Sequence, residues 1–202
     1  MADEIHWWSA TRLAAAISAG DVGSREALEH LVSRIEALDT DVNAVVHWDL
    51  DRARAAADAA DAAVAAGHEV GPLHGVPMTI KDSFQTVGCI TTSGAPDLAD
   101  FVPEQDAAPV ARLREAGAIP FAKTNLPIFA GDIQSHNEVY GCTNNPFDLS
   151  RTPGGSSGGS SAALAMGFTP LELGSDIGGS IRVPAHYSGL VLSPFRPESA
   201  PA

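Results

Sequence analysis

Basic residues are scarce in this 202-residue chain, with 12 against 25 acidic ones and a formal charge of −13. That balance excludes a phosphate backbone as a direct ligand, because nucleic-acid affinity depends on Lys and Arg displacing counterions. Cysteine is scarcer still. Cys89 and Cys142 are too few for a disulfide framework and lack C-x-x-C spacing. They fit a reducing compartment, with thiols buried as small apolar groups. No basic stretch followed by an apolar run opens the chain, where Asp3 and Glu4 stand instead, so no secretory signal is read. No window of about 18 uncharged apolar residues exists, which argues against a membrane span. None of the seven histidines falls in a metal-ligand spacing such as H-E-x-x-H. The plain expectation is a cytoplasmic protein without metal or cofactor.

What is present is enough for a core: hydrophobic residues make up 45% and charged residues only 18%. Apolar residues at helical spacing predict helices over residues 9–19 and 25–38, the second with Leu28, Leu31, Val32 and Ile35 on one face. The alanine-rich stretch 49–66 is a helix by propensity, and it lacks the large residues of a coiled-coil seam. Residues 1–70 therefore read as a helical layer. The character changes at Gly71-Pro72-Leu73-His74-Gly75. Strands are expected over 76–80, 119–123 and 169–174, with a helix over 108–116 between the first two. Alternation of this kind predicts an α/β fold with a mainly parallel or mixed sheet over residues 71–193. The Pro- and Ser-rich segment 194–202 is expected to fray.

The compositional outlier is Pro153-Gly154-Gly155-Ser156-Ser157-Gly158-Gly159-Ser160-Ser161. Composition alone favours a flexible linker. Against that, the segment runs directly into the apolar helical stretch 162–166, and a second cluster, Gly174-Ser175-Asp176-Ile177-Gly178-Gly179-Ser180, follows. A phosphate-binding loop fails for want of a lysine after Gly159. Gly154-Gly155-Ser156-Ser157-Gly158 matches G-x-S-x-G, but turn-like residues precede it where that motif needs a strand, and only His186 lies downstream.

Taken together, the two clusters and Ile181-Arg182-Val183-Pro184-Ala185 closely resemble the amidase signature. Leu73-His74-Gly75-Val76-Pro77-Met78-Thr79-Ile80-Lys81-Asp82 is similar to the lysine strand of that family. Ala122-Lys123-Thr124-Asn125 and Gly141-Cys142-Thr143-Asn144-Asn145-Pro146-Phe147-Asp148 match further segments of it. The resemblance covers roughly residues 9–190. It implies a mixed sheet covered by helices, with Ser180 as the nucleophile and Lys81 as the base. It also implies that Ser156 bridges the two, held by a cis peptide bond to Gly155 and chosen over Ser157 by its spacing from Ser180. Ile177, Gly178 and Gly179 are the implied oxyanion donors, while Ser157, Asp176 and Arg182 support the site.

The residue chemistry makes this set workable. Lysine is a base only when neutral, and a shift from about 10.4 to about 7 needs burial among apolar neighbours. Asp82 would oppose that shift, but strand alternation turns it to the other face from Lys81. The expected activity is hydrolysis of a small-molecule amide by a Ser–cis-Ser–Lys acyl-enzyme route. The runner-up is a glutamine-hydrolysing A subunit of a tRNA-dependent amidotransferase. It ranks lower because Phe129-Ala130-Gly131-Asp132-Ile133 departs from the segment associated with that subunit. Family members are more than twice as long, so a fold incomplete at its C-terminus, and a catalytically inactive fragment, are also expected outcomes.

Overall fold

The computed structural model describes residues 2–191, so the expected fraying of 194–202 lies outside the described residues. After a short 3-10 helix at Ala2–Trp7, the elements run α1 (Ala10–Ala19), α2 (Ser24–Leu38), β1 (Val45–Trp48), α3 (Leu50–Ala65), β2 (Pro77–Lys81), α4 (Ala108–Glu115), β3 (Ile119–Thr124), β4 (His136–Asn137), β5 (Gly141–Cys142), α5 (Gly158–Ala165), β6 (Glu172–Leu173) and α6 (Arg182–Tyr187). Ser9 caps α1 by accepting from the Arg12 N–H, and Gly20 closes it in the left-handed conformation. The helical stretches predicted between residues 9 and 66 match α1, α2 and α3. The segment read as a helical layer also contains β1, which the periodicity did not reveal.

Among the described residues, four strands form the main sheet in the order β1-β3-β2-β6, and β4 pairs with β5 in a separate hairpin. β3, β2 and β6 are parallel, while β1 joins the edge antiparallel to β3. The chain steps one way from β2 through α4 to β3, then back the other way through α5 to β6. Right-handed crossovers demand that the two helices cover opposite faces, and the packing agrees. Met78 and Ile80 of β2 cluster with Val110 of α4, with Leu171 just before β6 and with Leu173 in it. Thr79, Lys81 and Thr124 face the side where Ser160 of α5 bonds Thr124 at 3.0 Å.

The larger core joins α2 and α3 to β3 and α5 through Leu28, Leu31, Val32, Ala57, Phe121, Ala162 and Phe168. A bulge interrupts the β2–β3 ladder: Met78 pairs with Pro120, but Thr79 pairs with Ala122, leaving Phe121 unmatched. From there Lys81 falls opposite Thr124. Pro120 has no N–H to give, which suits it to the irregular position. β6 is shorter than the strand expected over 169–174, with two residues in the ladder. Of the two thiols, Cys89 is buried as expected, whereas Cys142 is exposed. No described helix is long and apolar enough to cross a membrane.

Candidate active site

Lys81 ends β2 with its side chain wholly buried. Its Nζ reaches three hydroxyls, those of Ser156 at 2.7 Å, Ser157 at 2.9 Å and Ser175 at 3.0 Å. Burial pushes the amine down to about 8, while Glu172 and then Asp176 pull it back toward the charged form. Ser157 is the N-cap residue of α5, so the positive end of a helix also faces this amine and disfavours a second positive charge. Once Lys81 is neutral, its lone pair needs a donor. The Ser157 proton is committed to the Ser175 carbonyl at 3.2 Å. Ser156 and Ser175 are left to donate, and Ser156 is the nearer.

The Gly/Ser segment that carries Ser156 is not a linker. Every residue from 153 to 163 is buried, and the Gly155–Ser156 peptide bond is cis. Gly159 shows why side chains are excluded there. A Cβ on it would lie 2.4 Å from the Asn125 nitrogen and 2.9 Å from the Ala44 oxygen, so the first turn of α5 rests directly on the backbone at the end of β3. α5 begins at Gly158, earlier than the helix expected from the apolar residues alone.

Ser180 is brought to the same place by its backbone: the Ser157 N–H donates to the Ser180 carbonyl at 2.9 Å. The Ser180 residue is partly exposed, and among the described residues its hydroxyl makes no hydrogen bond. Lys81, Ser156 and Ser157 thus form one connected set, with Ser180 attached to it through main chain.

The turn before Ser180 is organised by Asp176. Its carboxylate accepts from the N–H groups of Gly179 at 2.7 Å, Ile181 at 3.0 Å and Arg182 at 3.1 Å. Two further bonds come from the Arg182 guanidinium at 3.0 and 2.9 Å. Arg182 first, and burial opposing, leaves this carboxyl well below the usual carboxylate range. One expectation changes as a result. The Gly179 N–H, expected to be an oxyanion donor, is occupied by Asp176. Spacing identifies which amides share a turn but not that a side chain three residues earlier fills one. The N–H groups of Ile177, Gly178 and Ser180 have no partner among the described residues, and Ile177 and Gly178 are exposed.

Asp82 sits on the opposite face, as strand alternation requires. Its Oδ2 accepts from the Thr92 N–H at 3.0 Å and the Thr92 hydroxyl at 2.6 Å, and its Oδ1 lies 3.8 Å from Lys123 Nζ. Two residues near Lys81 escaped the sequence reading. Ser175 supplies the third hydroxyl, and Glu172 bonds Thr79 and, at 2.7 Å, Thr124. Ser157, Ser160, Glu172, Gly174 and Ile181 border a cavity of about 300 Å³.

The family model described as Amidase matches residues 26–192. The A subunit of glutamyl-tRNA(Gln) amidotransferase from Acidothermus cellulolyticus is 46% identical over 183 residues, covering 91% of this chain and 36% of that protein. Fatty acid amide hydrolase superposes with a TM-score of 0.87 at 33% identity, over 93% of this chain and 33% of its own. The peptide amidase of Stenotrophomonas maltophilia gives 0.84 at 34% identity, over 89% and 38%. The chain spans about a third of the length of the relatives it matches.

Proposed function

Because this chain belongs to the amidase family, whose signature it carries, we propose that it hydrolyses a carbon–nitrogen amide bond through an acyl-enzyme on Ser180. The observation that carries this reading is the wholly buried Lys81 amine, which among the described residues is hydrogen-bonded to serine hydroxyls alone; burial pushes it down to about 8. An amine so placed has a sizeable neutral fraction near neutrality, which an ordinary lysine does not.

The sequence of events follows from the hydroxyls. Ser180 Oγ attacks the substrate carbonyl as its proton passes to Ser156, whose own proton moves to Lys81. The link between the Ser156 and Ser180 hydroxyls forms with substrate in place, as catalytic hydrogen bonds often do. Oxyanion stabilisation falls to the unpartnered N–H groups of Ile177, Gly178 and Ser180, in the turn that Asp176 and Arg182 brace. Collapse of the tetrahedral species breaks the C–N bond, and the Lys81 ammonium returns its proton through Ser156 to the leaving amine. Water then attacks the ester by the same relay, releasing the acid and freeing Ser180.

A small-molecule amide is the substrate class we favour, in a cytoplasmic setting consistent with two free cysteines. Glutamine hydrolysis for a partner protein is the second reading, favoured by the 46% identity to the A subunit of an amidotransferase. Ammonia release from glutamine, measured with and without the other amidotransferase subunits, separates the two. The mechanism itself is tested by the rate at which a fluorophosphonate labels the folded chain. We expect labelling to vanish in Ser180→Ala and to slow by about 100-fold or more in Lys81→Ala. Equal labelling of wild type and Ser180→Ala would overturn the nucleophile, and no labelling of folded wild type would support an inactive fragment.

A further inference from the structure

The chain has two lysines, Lys81 and Lys123, and both side chains are wholly buried. They lie on neighbouring strands but on opposite faces of the sheet. Lys123 donates to the Phe84 carbonyl and to the hydroxyls of Thr86 and Thr91, both at 3.1 Å, with Asp82 close by. Among the described residues, Lys81 has no such carboxylate at contact distance. The acidic group held on its own face is Glu172.

Glu172 is placed by sheet register. It pairs directly with Thr79, and its carboxyl takes the hydroxyls of Thr79 and Thr124. Thr79 stands two residues before Lys81 on the same face of β2, and Thr124 is the register partner of Lys81 on β3. The carboxyl is therefore stapled across three strands, one same-face step below the amine. Strand geometry puts the two Cα atoms about 8 Å apart.

We propose that Glu172 is a positioning residue for the amidase reaction, fixing the field in which Lys81 gains and loses its proton. This rests on the lysine-base reading above. Burial alone would drive the amine toward a weak base that is always neutral, and a weak base accepts a proton poorly. A carboxylate at this distance draws the proton affinity back up without capturing the amine in an ion pair. The other charged groups near the pair are Asp176, engaged with Arg182, and Lys123, across the sheet. α5 contributes no titratable side chain. The Glu172 carboxyl is itself raised to about 7, by burial first, with the Thr79, Ser160 and Thr124 hydroxyls opposing.

Two lysines make the test direct. Lysine labelled with ¹³C at Cε gives two side-chain resonances in the 202-residue chain, assigned by the one lost in Lys81→Met. Their pH titration is compared in wild type and Glu172→Gln, which keeps the shape and removes the charge. The Lys81 midpoint should fall by about one pH unit, and the Lys123 midpoint should move far less. The acid limb of fluorophosphonate labelling should shift to lower pH with it. An unmoved Lys81 midpoint, or equal movement of both lysines, overturns the proposal. Should Glu172→Gln fail to fold, wild type decides: the Lys81 resonance must drift in two steps, the first where Glu172 ionises, and a single step overturns the proposal. A Lys81 midpoint near the ordinary lysine value would instead sink the base reading itself.

Discussion

Lys81 combines a favourable site for chemistry with an unfavourable one for charge, and the same imbalance must register in stability. Its amine titrates at about 8 in the fold against 10.5 ordinarily. Between those values the unfolded chain holds more protons, so this group's contribution rises with pH and is lost as pH falls toward 8. The difference in unfolding free energy between wild type and Lys81→Met should therefore grow by about 3 kcal/mol from pH 8 to pH 10.5, read by urea denaturation. Glu172 acts with the opposite sign. Its carboxyl is raised from 4.5 to about 7, so its contribution is full below 4.5 and lost as pH climbs through 7. Glu172→Gln should remove that decline. Lys81 was legible in the sequence because its strand motif is long. Ser175 and Glu172 were not, since neither residue type signals a role until cross-strand register and a turn bring it to the amine.

Among the elements, α5 and the turn before α6 show how little freedom the Gly/Ser clusters keep. Gly159→Ala must push backbone atoms apart between α5, β3 and the start of β1, and should cost about 1–3 kcal/mol in chemical denaturation. Gly178→Ala, with nothing within 4 Å of the new methyl group, should leave stability unchanged. Asp176→Asn keeps the shape of the cap but weakens its hold on three amides and Arg182. We expect fluorophosphonate labelling to slow about 10-fold or more as the donors lose their alignment. α1 and α2 were found because 3.6-residue periodicity extends over many residues, and α3 because its alanines favour a helix by propensity. β1 was missed because Val45-Val46-His47-Trp48 is a short run between two helices, and β6 was overdrawn because two ladder residues cannot be told from the apolar stretch around them. The occupied Gly179 amide was likewise invisible, since it depends on which way one aspartate turns.

For the whole molecule, surface cations other than the terminal amine and histidine come from arginine, because both lysines are interior. An amine-acylating reagent should leave Lys81 and Lys123 unmodified in the native chain and modify both after unfolding, a difference that intact mass resolves. Native labelling of either lysine would contradict the packing. The unmatched Phe121 in the β2–β3 ladder has a further consequence for this arrangement. Pairing that continued without interruption from Met78 opposite Pro120 would set Lys81 beside Lys123, two ammonium groups shoulder to shoulder on one side of the strands. The single extra residue keeps the two amines back to back instead. Excising Phe121 would thus merge two separate electrostatic environments into one before any serine was touched.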